Sequence, residues 1–207
     1  MYDINLFLIL GAALLAVASP GPATLAIAGT SMQQGRAAGL ALAAGVTTGS
    51  FIWSISAAFG LGAVMRANVW LFEILRYFGA GYLMYLAYRS AKSALQPGTP
   101  VPVSVQTPAL SAAYGRGLAL HLTNPKAILF FGSLYAIGLP VDTTAKDLII
   151  VVLAKGIQSC LVFHGYALMF SNPTLTKSYL RLRRPLEAVF AAAFATASWR
   201  ILIARLT

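Results

Sequence analysis

Long apolar runs separated by short polar ones fill almost the whole chain. Six can be counted, at 4–28, 37–65, 70–91, 113–139, 148–170 and 185–206. Each is close to or above the roughly 20 mainly apolar residues that a membrane-spanning helix needs. The pattern predicts an all-α integral membrane protein with six transmembrane helices. The longest polar stretch, "KSALQPGTPVPVSVQTPAL", holds four prolines and no helical period, and so reads as a loop. It divides the chain into a first three-helix repeat at 1–92, a cytoplasmic linker at 93–112 and a second three-helix repeat at 113–207.

Basic residues between the runs orient them. Arg36, then Arg89, Lys92 and Arg116, then Lys177, Arg181, Arg183 and Arg184 fall on one side, and Arg66, Lys146 and Arg205 on the other, with Asp3, Asp142 and Asp147. The richer side is expected in the cytoplasm, which puts both termini outside. With three spans per half, the halves enter the membrane inverted relative to each other, as in inverted-repeat transporters. Asp3 precedes the first run without a Lys or Arg, the wrong charge for a cleaved signal peptide.

Composition agrees. The chain is 58% hydrophobic and 10% charged, too little polar material to cover a soluble surface of this size. Its net charge of +10 belongs to loops beside lipid rather than to a nucleic-acid partner. A single cysteine, Cys160, leaves no disulfide, dithiol or cysteine-based metal site. No cofactor signature, nucleophile elbow or metal-spaced His/Glu pair is present, so an enzyme is not expected.

The first run is interrupted by "SPGP". Proline has no N–H and frees the carbonyl four residues earlier, so Pro20 frees Ala16 and Pro22 frees Ala18, with Gly21 between them. At about 1.5 Å per residue the break lies near or just past the membrane midplane. The fourth run repeats the device: in "HLTNPKAILFF", Asn124-Pro125-Lys126 sits at comparable depth from the opposite face, and Pro125 frees the carbonyl of His121. Matching interruptions in the two halves are the best sequence pointer to a transport site. The expected site comprises Pro20, Gly21, Pro22, Thr24, His121, Asn124, Pro125 and Lys126. A half-helix starting near Ala23 and Thr24 suits a carboxylate, freed carbonyls suit an ammonium, and a small zwitterion offers both. Lys126 is a second carboxylate partner, a proton-linked switch or a side chain snorkelling to an interface.

The second run, "GRAAGLALAAGVTTGSF", carries Gly35, Gly39, Gly45 and Gly49 at spacings suited to close helix packing. Lys155 and His164 are ionisable groups at membrane depth. Each is by default a functional candidate; Lys155 is otherwise expected to snorkel outward, and His164 is either a proton relay or, the favoured expectation, satisfied by a neighbouring carbonyl. Glu73 and Arg76 are expected to pair, and Trp70, Tyr82, Tyr85 and Tyr88 to anchor at interfaces or pack.

At Ser19-Pro20-Gly21-Pro22, the run from Gly35 to Gly49, "FGAGYLMYLAYRS" and "LTNPKAILFF", the chain resembles the LysE/RhtB family of amino-acid exporters. The fifth and sixth spans match only in hydropathy. The resemblance implies a bacterial inner-membrane exporter of amino acids or related small metabolites, driven by protons and assembled as a homodimer in lipid. One departure stands out: members of the family often carry Asn or Asp after Pro-Gly-Pro, where this chain has Ala23, which passes that role to Thr24, Lys126 or the backbone. The competing reading is a membrane scaffold or assembly protein without transport activity, which would not need matched breaks in both halves.

Overall fold

The computed structural model describes residues 6–67, 69–96, 109–139 and 143–203. Among these residues all regular structure is helical, in the order α1 (Leu6–Ala18), α2 (Pro22–Gln34), α3 (Arg36–Ala67), α4 (Val69–Leu95), α5 (Leu110–Leu122), α6 (Pro125–Gly138), α7 (Ala145–Phe170) and α8 (Pro173–Ile203). Most of the proline-rich linker, Asp3, Asp142 and Arg205 lie outside the described residues, as do the side chains of Arg66, Glu73 and Arg76.

Two of the expected spans are split where the sequence places proline. Ile9–Ala18 and Pro22–Gln34 meet at a bend of 50°. Pro22 occupies the first turn of α2 and Pro125 that of α6, positions where the missing N–H has no intrahelical acceptor to lose. The Oδ1 of Asn124 accepts the Lys126 backbone N–H at 3.0 Å and caps α6. Asn-Pro-Lys therefore stops one helix and starts the next.

Among the described residues two helices are long and apolar enough to cross a membrane, through Arg36–Gly60 and Ala145–Phe170, and a third crossing results if α1 and α2 count as one bent span. The helices also run past the apolar stretches. Arg89 and Lys92 lie within α4, and Lys177, Arg181, Arg183 and Arg184 within α8, which starts at Pro173 and continues through Pro185. These bases are helical rather than loop residues, and Arg183 is buried with Nη2 donating to Ser93 Oγ at 2.7 Å.

Large apolar side chains face outward as well as filling the core, and the buried polar groups face inward. On α7, Ile149, Leu153, Ile157, Leu161 and Leu168 are exposed, while Lys155 and Ser159 are buried. A helix with that distribution suits hydrocarbon outside and hydrogen bonds inside. Close packing follows the glycines. A Cβ on Gly45 would collide with the Tyr114 carbonyl of α5, and one on Gly117 with the Leu42 carbonyl of α3, so the α3 and α5 backbones touch. A Cβ on Gly39 would meet Ser31 of α2. Gly35 is not on this seam. It has open space around it and a φ of 87° at the C-cap of α2, a positive-φ backbone that glycine adopts without steric cost and that turns the chain into α3.

Candidate functional site

The two breaks meet. The ammonium of Lys126, in the first turn of α6, donates to the Ser19 carbonyl at 3.0 Å and to Ser19 Oγ at 2.8 Å. Gly21 lies beside the same side chain, with an added Cβ only 3.2 Å from Lys126 Nζ. Lys126 thus turns inward across the break of the other half instead of snorkelling.

A small cavity of about 40 Å³ opens here, walled by Ser19, Gly21 and Thr24 from the first break and by His121, Asn124 and Lys126 from the second. Ala16, Ala23, Ala127 and three phenylalanines add apolar surface. A wider recess of about 550 Å³ also borders Asn124 and Lys126, together with Pro22 and with Tyr82, Tyr85 and Arg89 of α4. Pro20 borders neither space.

Two of the three backbone carbonyls expected to receive an ammonium are engaged differently. The Ala18 carbonyl freed by Pro22 accepts Tyr166 Oη of α7 at 2.6 Å, and the His121 carbonyl accepts the Asn124 N–H at 3.2 Å. Proline removed the usual donor, and a tertiary neighbour or the next turn replaced it, because an unpaired carbonyl is costly away from water. Thr24 is engaged as well: its Oγ1 accepts the Gly21 N–H at 2.8 Å and donates to the Gly21 carbonyl at 3.0 Å. It rigidifies the start of α2.

Beneath the cavity floor runs a polar chain. Ser50 of α3 borders the cavity and shares a 2.9 Å hydrogen bond with Ser159, which accepts from Lys155 Nζ at 2.6 Å. Lys155 is 0% exposed, and its ammonium lies 5.2 Å from the centre of the Phe131 ring. The expected outward snorkel is therefore incorrect; the serines and the ring face hold the cation inside. His164 follows its expectation, with Nδ1 2.9 Å from the Cys160 carbonyl. Of the aromatic residues, Trp70 is 73% exposed, whereas Tyr82 is buried and donates to the Lys126 carbonyl at 3.2 Å.

Sequence reasoning missed Tyr82 and Tyr166 as neighbours of the breaks, and Ser50 and Phe163 as cavity walls. Their only sequence signal was a polar or aromatic residue within an apolar run, which packing residues share.

Comparison with known proteins adds an independent line. The profile of the LysE type translocator family matches residues 14–205. The threonine efflux protein of Escherichia coli K12 is 28% identical over 197 residues, covering 93% of this chain and 94% of its own length. That of Salmonella typhi is 26% identical over 196 residues, covering 93% of this chain and 94% of its own. The leucine efflux protein of Enterobacter sp. strain 638 is 31% identical over 167 residues, covering 81% of this chain and 78% of its own. No solved structure shows a significant match.

Proposed function

Since the chain belongs to the LysE type translocator family, we propose that it is a secondary active exporter of amino acids or related small metabolites across the bacterial inner membrane. Access to its site alternates between the two faces. The observation that carries this reading is the hydrogen bonding of Lys126, from one broken span, to Ser19 of the other, at the wall of a cavity formed by both. The named activities of the relatives, threonine efflux and leucine efflux, support an amino-acid substrate.

In this reading Lys126 meets the substrate carboxylate, assisted by the N-terminal end of α2 at Ala23 and Thr24, where backbone N–H groups and the helix dipole favour an anion. Pro20, Gly21, Pro22 and Pro125 keep the two helix ends apart, and Asn124 holds Lys126 at its start. The six spans form two inverted three-helix repeats, with both termini outside. The packing of each broken span on the middle helix of the other half, α1 and α2 on α7 and α5 and α6 on α3, supports that symmetry. Proton coupling and a homodimer complete the reading.

The test compares the growth medium of cells expressing the intact protein with that of cells expressing a Pro20→Leu/Asn124→Leu variant of equal abundance. The expected result is one or a few amino acids enriched only by the intact protein. Identical media from cells rich in free amino acids would refute amino-acid export.

A further inference from the structure

Six polar side chains border the inner cavity, and five of them are satisfied within the protein. Ser19 and Lys126 bond to each other, Thr24 caps α2, Ser50 pairs with Ser159, and Asn124 caps α6. His121 is the exception. The residue is 5% exposed, and neither Nδ1 nor Nε2 has a hydrogen-bond partner among the described residues.

The ring is also firmly placed. A Cβ added to Gly49 of α3 would lie 2.9 Å from His121 Cβ and 3.3 Å from Cδ2, so one edge of the side chain rests on a glycine backbone. Phe163 of α7 stands edge-on to it, with centroids 5.7 Å apart and an interplanar angle of 74°. Backbone and hydrocarbon thus fix the ring while offering its nitrogens nothing. Buried polar groups without partners are rare because each forfeits its hydration.

We infer that His121 reads the side chain of the transported amino acid and selects one bearing a hydroxyl over an apolar one of the same shape. The inference rests on the proposed export function and decides between the two side-chain chemistries that the relatives' names present. A neutral imidazole has one N–H donor and one bare nitrogen acceptor, and a hydroxyl is both acceptor and donor. With the carboxylate on Lys126, a small hydroxyl-bearing side chain supplies a partner for the imidazole. A branched hydrocarbon would seal both nitrogens against apolar surface. The discrimination is of the kind that an unmet buried hydrogen bond imposes on a substrate lacking the group.

Threonine and valine are the direct probes, because they share a shape and differ in one hydroxyl for methyl. Efflux of each is measured from preloaded cells expressing the intact protein, His121→Leu or His121→Gln, with rates taken as a ratio within each variant so that abundance cancels. The intact protein is expected to favour threonine by about tenfold, the worth of one hydrogen bond in a buried site. His121→Leu should bring the ratio close to one, and His121→Gln, which keeps a donor and an acceptor, should retain most of it. Equal export of threonine and valine by the intact protein, a result independent of any variant folding, would overturn the selection role. So would a ratio unchanged in His121→Leu. Efflux of neither, together with no amino acid enriched in the medium, would instead remove the export reading and this inference with it.

Discussion

Lys126 has three N–H donors, and Ser19 takes two of them through its carbonyl and its hydroxyl. Both acceptors are uncharged, so an arriving carboxylate is the stronger partner and can draw the ammonium away from Ser19. Lys126→Met removes that partner. A hydrogen bond to a charged group contributes about 1.5–3 kcal/mol, so export is expected to fall by roughly tenfold or more at unchanged abundance. Lys126→Arg should recover part of it. An export rate unaffected by methionine would show that the carboxylate is held elsewhere. Lys126 was legible as a candidate because a lysine beside a proline in an apolar run is conspicuous in the sequence alone. Lys155 was equally conspicuous, yet its direction was misread. Whether a long side chain points to lipid or to the core depends on what faces it: Ser159 lies one turn along the same helix, but Ser50 and the Phe131 ring are brought there only by the packing of α3 and α6 against α7.

At the scale of elements, the broken helices were the most legible feature, because the missing N–H of proline is a local fact that no tertiary arrangement restores. What replaced it was not local: Tyr166 supplies the Ala18 carbonyl from a helix more than a hundred residues away in sequence. The glycine stripe was legible as a packing face for a similar local reason, although its partner, α5, was not. That contact gives a sharp prediction. Gly45→Ala sets a methyl against the Tyr114 carbonyl, which is backbone and can yield only if α3 and α5 move apart. Overpacking of this kind costs about 1–3 kcal/mol, expected as a lower thermal midpoint of the detergent-solubilised protein. Gly11→Ala is the control, since Gly11 lies within α1 and nothing stands within 4 Å of an added Cβ. That variant should be neutral or more stable by up to about 1 kcal/mol, the helix-propensity gain of alanine over glycine. Equal losses from both substitutions would mean that the seam is not under tension at Gly45.

For the molecule as a whole, the inner cavity and the wider recess share Asn124 and Lys126 as a wall. In the alternating-access cycle we propose, substrate passes between them as Lys126 lets go of Ser19 and α2 and α6 shift relative to each other. Linking the starts of these helices should therefore stop transport without removing any hydrogen-bonding side chain. Ala23 and Ala127 suit the purpose, because both are small and buried, and both border the inner cavity from opposite breaks. The background is simple to prepare, since Cys160 is the single cysteine and Cys160→Ser removes it. In that background, Ala23→Cys/Ala127→Cys is treated with a short bifunctional thiol reagent that forms cleavable disulfides, and threonine efflux is followed before treatment, after it and after reduction. The expected course is export, arrest and recovery, with each single-cysteine protein, which the reagent modifies but cannot link, slowed less than the pair. Continued export through a fully linked protein would mean that the two half-helices travel as one body, and the moving boundary would then lie elsewhere among the helices.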